Sequence, residues 1–223
     1  EDSKMQVRKD PLATGEYYHV YTKSIAGFVI FNHKDEFDRM KSLLEFHQVS
    51  DPAMKFSWLK RLGKDMTPRM TERREKERLV HIIAYCLMPT HIHLFLRQSA
   101  TNGISVFMGR LLNGYARYFN LRHKRKGPLW EGRFKNVRVK TNEQALHLSR
   151  YIHLNPASAG LVNKPGEWEH SSYQEYLSRS SQEPGLCAFQ GVFDFTSAEY
   201  QNFVEKHRDA QRETAILKGL MME

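Results

Sequence analysis

Hydrophobic and polar positions change period several times along this chain, and each change marks an element. Tyr17-Tyr18-His19-Val20-Tyr21-Thr22-Lys23-Ser24-Ile25 is dense in aromatic and β-branched residues, which predicts a strand. From 33 to 47 apolar side chains recur every three or four positions, at Phe37, Met40, Leu43 and Leu44 with His47 in register. Asp35, Glu36 and Asp38 occupy the first turn of that segment, where a helix dipole favours carboxylates. Two apolar runs, Val80 to Met88 and His91 to Arg97, flank Pro89-Thr90 and predict a pair of strands at the sheet centre. Ile104, Phe107, Met108, Leu111, Leu112, Tyr115 and Phe119 repeat at helical spacing and predict a core-facing helix ending at the basic stretch before Gly127-Pro128. Val137-Arg138-Val139 reads as a last short strand. Thr141-Asn142-Glu143-Gln144 forms a capping box for a helix to about Asn155, where Pro156 limits it. The order β, α, ββ, α, β, α predicts an α+β fold: a ferredoxin-like antiparallel sheet with helices packed on it.

The remaining segments are less periodic. Leu59 to Arg78 is a mixed charge run broken by Gly63 and Pro68, which predicts an exposed loop with some helix. Beyond Ser178 the chain turns to Ser, Gln, Gly and Pro before an amphipathic stretch from Tyr200 to Leu217, so residues 1–178 read as the main domain and 179–223 as an appendage. With 40% hydrophobic and 26% charged residues in 223, the chain can bury a core without staples. Cys86 and Cys187 lie far apart and form neither a CxxC pair nor a disulfide framework. No apolar leader follows Glu1, and no run approaches the ~18 apolar residues of a membrane span, so a cytoplasmic setting without membrane contact is expected. Thirty-four Lys and Arg against 25 Asp and Glu leave a net charge of +9, which points toward a polyanionic partner. No glycine-rich phosphate loop is present, so nucleotide-fuelled chemistry has no support.

Candidate chemistry sits on two elements. His91 and His93 are two apart in a strand, so both imidazoles share one face while Ile92, Leu94 and Leu96 share the other. That arrangement suits either one metal ion or a pair of structural histidines; a hard cation such as Mg²⁺ or Mn²⁺ would also need oxygen ligands. On the last helix His147, Tyr151 and Asn155 are four apart and share a stripe on which their side chains could meet the same ion. A tyrosine there can act as a nucleophile toward phosphorus or can pack its ring on the sheet, and Asn155 can supply an amide oxygen or merely end the helix. Arg122, Lys124, Arg125, Lys126, Trp130, Arg133 and Lys135 interleave cations with an aromatic, the ingredients of phosphate contact and base stacking, or else of a solvated loop.

Three motifs in consistent order turn these alternatives into one reading. Met88-Pro89-Thr90-His91-Ile92-His93-Leu94, then Gly127-Pro128-Leu129-Trp130-Glu131-Gly132-Arg133-Phe134, then Tyr151-Ile152-His153-Leu154-Asn155-Pro156-Ala157-Ser158-Ala159-Gly160-Leu161-Val162 resemble the Y1 HUH transposases. Within them the likeness is to the REP-associated tyrosine transposases, relatives of the IS200/IS605 enzymes. It spans roughly residues 16 to 178 and includes Tyr18-His19-Val20. The resemblance implies an enzyme that cleaves and rejoins single-stranded or hairpin DNA through a 5′-phosphotyrosine. Tyr151 would be its single catalytic tyrosine, His91 and His93 its metal pair, and Asn155 the third ligand to Mg²⁺ or Mn²⁺. It also implies a bacterial setting with nucleoid-associated DNA, and it leaves His147 and His153 without a role. Tyr115 lies on an apolar stripe with Leu111 and Leu112, which explains it by packing. Two other classes compete: a domesticated nucleic-acid-binding regulator without catalysis, and a metal-dependent hydrolase that uses water. Relatives include monomers and dimers that exchange the tyrosine helix, so the site could form within one chain or between two.

Overall fold

Alternation is strictest in the first strand, β1 (Tyr17–Lys23), where Tyr18, Val20 and Thr22 are buried and Tyr17, His19 and Tyr21 are only partly covered. This computed structural model describes residues 11–50, 56, 78–178 and 185–208. After β1 come α1 (Lys34–Phe46), β2 (Val80–Met88), β3 (His91–Gln98), α2 (Gly103–Arg122), β4 (Lys135–Val139) and α3 (Asn142–Ser158), followed by the short α4 (Tyr173–Leu177) and α5 (Ser197–Glu205). The strands form one sheet in the order β2-β3-β1-β4, with every neighbouring pair antiparallel, so of the two strands expected at the centre only β3 lies there, beside β1, and β2 is at the edge. β1-α1-β2 and β3-α2-β4 are therefore interleaved units, each spanning a strand of the other, as the ferredoxin-like reading predicts. All but the last residue of the charge run 59–78, residues 179–184 just after the expected boundary, and the amphipathic stretch beyond Arg208 lie outside the described residues.

Two cores form because the sheet is covered on both faces. Tyr18, Val20, Ile92, Leu94 and Leu96 pack against Phe107, Leu111 and Tyr115 of α2 and Leu44 of α1. On the opposite face Phe95 and Cys86 meet Ile152 and Leu154 of α3, with Tyr173, Tyr176, Phe189 and Tyr200 closing the layer. Each large apolar side chain so enclosed contributes roughly 1.5–3 kcal/mol. The described part of the C-terminal segment thus shares a core with α3. The edge of β2 is covered by residues from both sides of the expected boundary, since the backbone of Leu87 donates to His170, that of Ser172 to Tyr85 and that of Ala188 to Ile82, at 2.9, 2.9 and 2.8 Å. Both cysteines are free, and among the described residues no helix is long and apolar enough to cross a membrane.

Several element ends depart from the sequence reading: β4 begins at Lys135 rather than Val137 and the last described helix at Ser197 rather than Tyr200. The first strand stops at Lys23 rather than Ile25, because Ala26 and Gly27 adopt φ of 51° and 67° and turn the chain through Ile25–Gly27. The last long helix passes through Pro156 to Ser158 instead of stopping at Asn155. Proline lacks one amide hydrogen, but the Ala159 amide still bonds the Asn155 carbonyl at 2.9 Å, and Gly160 with φ of 69° makes the actual stop. At its start Thr141 Oγ1 accepts from the Gln144 amide and Gln144 Oε1 from the Lys140 amide, at 3.1 and 2.8 Å.

One buried polar network fixes α3 against the C-terminal layer. His153 is fully buried and is bonded through Nδ1 to Tyr200 Oη and through Nε2 to Ser172 Oγ, both at 2.7 Å, while Tyr200 donates to Ser149 Oγ at 3.0 Å. Burial holds the His153 imidazole down at about 3. In the unfolded chain it binds a proton below about 6.5. Folding therefore opposes that proton, and stability falls as pH drops from about 6.5 toward 3. Denaturant titrations at pH 7.5 and pH 5 should differ by about 2 kcal/mol from this group alone. His153→Gln should flatten that dependence while lowering stability at pH 7.5 by about 1–3 kcal/mol.

Candidate active site

The β2–β3 turn brings His91 onto the strand immediately after Pro89-Thr90, and period two then puts His91 and His93 on the face opposite Ile92 and Leu94. Antiparallel pairing sets Tyr21 and Cys86 on either side of His93, and Lys23 beside His91. The two imidazole rings lie 5.0 Å apart and are nearly perpendicular. His91 Nδ1 is 3.0 Å from Thr90 Oγ1, and His93 Nδ1 is 3.0 Å from His19 Nε2. Burial holds His91 down at about 4, aided by Lys23, and pushes His93 well below the usual histidine range. Both are neutral at physiological pH, as metal-ligating imidazoles must be, and each has its Nδ1 engaged so that Nε2 is the nitrogen left to bind a cation. The residues present therefore fit a divalent ion in part. Among the described residues no three His, Cys, Asp or Glu side chains converge as a metal site, so further ligands must be amide, water or phosphate oxygens.

Tyr151 reaches this face from α3 of the same chain. Its ring stands edge-on at 5.7 Å from His93 and 6.1 Å from His19, and it is 41% exposed. The other two residues of its stripe behave differently from the shared-ion expectation. His147 lies beside Arg150, 3.1 Å from its guanidinium, and edge-on to Phe203, because α5 draws it toward the C-terminal layer. Asn155 Nδ2 donates to the Tyr151 carbonyl at 3.1 Å, a bond that uses the amide nitrogen and leaves the oxygen's lone pairs unspent. Tyr115 is fully buried in the first core, with its hydroxyl donating to the Ile30 carbonyl, and stands outside the site.

The seven residues read as a DNA grip divide into two groups. Arg122 pairs with Asp35 at 2.7 Å and approaches buried Glu36 at 3.6 Å, tying α2 to α1. Arg125 donates to Asn120 Oδ1 and the Pro128 carbonyl at 3.0 and 2.7 Å, latching its own loop. Trp130 donates to the Leu112 carbonyl at 3.0 Å and packs near Tyr115. These three are held by the protein, whereas Lys124, Lys126, Arg133 and Lys135 are exposed. Lys135 is opposite Tyr21 in the β1–β4 register and so shares the face of His93.

His19, Tyr21 and Lys23 join the site, although sequence alone assigns none of them a role there. The alternation of β1 groups the three on one face, but nothing local says that β1 lies beside β3. Phe28 is 45% exposed at the end of the turn through Ala26 and Gly27, with the Arg125 guanidinium 5.3 Å from its ring. That turn is clipped beside the histidine strand, since Ser24 donates to the Thr90 carbonyl and Ile30 to the Pro89 carbonyl, both at 2.8 Å.

The four-stranded antiparallel sheet with helices on both faces is an α+β architecture, and comparison with known proteins gives its family. The family model described as IS200-like transposase matches residues 40–155, just over half of the chain. The chain belongs to the IS200-like transposase family. Its fold is similar to a solved structure of a REP-associated tyrosine transposase bound to a REP hairpin, with a TM-score of 0.54 and 14% identity over 86% of this chain and 96% of that one. No curated protein sequence matches the chain.

Proposed function

We propose that the protein cuts and rejoins single-stranded DNA, with Tyr151 as nucleophile, acting on hairpin DNA of the repeated palindromic kind. The observation that carries this reading is the placement of the Tyr151 ring 5.7 Å from His93 within one chain. Tyr151 Oη forms a bond to phosphorus as the bond from phosphorus to the 3′ oxygen breaks. The phenol's proton ends on the departing 3′ hydroxyl, and the downstream strand stays attached as a 5′-phosphotyrosine. Attack by another 3′ hydroxyl reverses these changes and seals a new junction, so no nucleotide fuel is needed. His91 and His93 through Nε2, and Asn155 through its amide oxygen, would hold a Mg²⁺ or Mn²⁺ ion. Such an ion, when bound, supplies Lewis-acid polarisation of the scissile phosphate. The nearness of Tyr151 to the histidines of its own chain favours a site complete in cis, for which a second subunit is not required.

Lys124, Lys126, Arg133 and Lys135 offer phosphate contacts on the exposed side, and Lys23 adds a charge beside His91. Phe28, 45% exposed and bordered by Arg125, offers a ring on which an unpaired base could stack. Phe28→Ala should weaken binding of a hairpin with single-stranded flanks about tenfold or more, as expected for one lost stack of about 1–3 kcal/mol, and Phe28→Trp should preserve it. Fluorescence anisotropy at fixed salt measures this, and equal affinities for Phe28→Ala and the parent would remove Phe28 from the interface.

The experiment that separates the proposal from its rivals uses hairpin oligonucleotides labelled at either end, incubated with protein and Mn²⁺. The proposal expects a denaturation-resistant protein adduct carrying the 3′ label and a free fragment carrying the 5′ label. Free 5′-phosphate without an adduct would instead indicate a hydrolase that uses water. Tight binding unaffected by chelation, with no cleavage, would indicate a regulator.

A further inference from the structure

The bond between His19 and His93 joins two imidazoles, so residue type alone does not fix its polarity. A neutral imidazole carries its proton on one ring nitrogen and a lone pair on the other. If His93 donates from Nδ1 to His19 Nε2, its own Nε2 keeps a lone pair. If His19 donates instead, His93 Nε2 carries the proton and cannot bind a cation.

We propose that His19 is a positioning residue that accepts the His93 Nδ1 proton and thereby presents His93 Nε2 as a metal ligand. The inference rests on the reading of His91 and His93 as a cation site given above. The nitrogens are 3.0 Å apart and the ring planes only 21° apart with centroids at 5.2 Å, so the two rings meet edge to edge as a ring N–H···N bond requires, and His93, only 7% exposed, is closed to a replacing water. β1 holds His19 through its ladder with β3, where His19 lies opposite Phe95, and the Tyr21 ring stacks on it at 5.0 Å. His91 is treated in the same way by Thr90 Oγ1 at 3.0 Å, so both members of the pair have one nitrogen tied down. His19 is not itself a third ligand: its Nε2 is spent on His93, and no trio converges among the described residues.

Metal sites commonly use a carboxylate, a backbone carbonyl or a water for this task. A neutral imidazole performs it without adding negative charge, which suits a site that must admit a phosphodiester. The same ring stands edge-on at 6.1 Å to Tyr151, so one residue of β1 borders both the cation-binding histidine and the proposed nucleophile.

Calorimetric titration of the full chain with Mn²⁺ tests the proposal, together with long-range ¹H–¹⁵N spectra of the imidazoles in the metal-free and Mg²⁺-loaded states. His19→Ala should weaken Mn²⁺ binding by about 10–100-fold, the usual effect of losing such a partner. His19→Gln should recover most of it, because an amide oxygen can accept the same proton. In the parent the Mg²⁺-loaded His93 should carry its proton on Nδ1, and His19→Ala should shift the metal-free ring toward the Nε2–H form. Unchanged Mn²⁺ affinity in a folded His19→Ala protein would overturn the proposal. So would a His19→Gln protein as impaired as His19→Ala, since ring packing rather than the hydrogen bond would then be responsible. Absence of Mn²⁺ binding by the parent would overturn both this role and the cation site. Tyr151→Phe should leave every one of these metal readings unchanged. A parent protein that binds Mn²⁺ yet forms no DNA adduct would therefore count against the nuclease reading and not against His19.

Discussion

Tyr151→Phe abolishes covalent attachment of DNA while leaving the fold, the hairpin affinity and the Mn²⁺ affinity close to those of the parent. The change removes one hydroxyl from a ring that is 41% exposed, so it creates no cavity and leaves the edge-on contacts with His93 and His19 available. Only the atom that would bond to phosphorus is lost. A nucleophile cannot be replaced in part, so adduct and strand transfer should fall below detection rather than decline by a modest factor. Denaturing gels with end-labelled hairpin measure the adduct, and anisotropy with the same oligonucleotide measures binding. Residual adduct in Tyr151→Phe would move the nucleophile to another residue. Tyr115 is a poor substitute, since it is fully buried and its hydroxyl is engaged with the Ile30 carbonyl.

The second large effect belongs to the histidine pair. His91→Ala and His93→Ala, like chelation of divalent ions, should each slow adduct formation by about a thousandfold or more, because loss of Lewis-acid stabilisation costs several kcal/mol at the transition state. His91→Ala is the cleaner variant. His91 begins its strand and is only partly buried, whereas His93 is enclosed between β1 and β2 and its removal also disturbs packing. Single-turnover rates at saturating DNA, with circular dichroism melts as a control on folding, give the comparison. A His91→Ala protein that melts like the parent and still reacts at the parent rate would remove His91 from the metal pair.

Much of the fold is written locally in the chain. The alternation at His91-Ile92-His93-Leu94 predicts which side chains meet a core, and the structure places Ile92 and Leu94 there and the imidazoles opposite. The Thr141 cap marks the start of the tyrosine helix for the same reason: its hydroxyl satisfies an amide only three residues away. What the chain hides is non-local. His19 becomes part of the site because β1 pairs with β3, a contact 74 residues apart in sequence, and period two cannot reveal it. Arg122 and Arg125 look like a DNA-facing cluster in sequence, yet Asp35 and Glu36 of α1 take the first and the Pro128 carbonyl takes the second. Helical spacing rightly groups His147 with Tyr151, but which residue of a stripe meets which neighbour depends on α5, whose Phe203 meets His147. The early stop read at Pro156 fails for a simpler reason, since a proline near the end of a helix removes one bond and the next residues still close theirs.

The most direct test of the central claim is to digest the denatured adduct formed with hairpin DNA and Mn²⁺ and to locate the nucleotide mass by fragmentation. The account predicts a phosphodiester-linked nucleotide on Tyr151 and on no other residue. A nucleotide on any other side chain, or cleaved DNA bearing a free 5′ phosphate with Tyr151 unmodified throughout the time course, would contradict it.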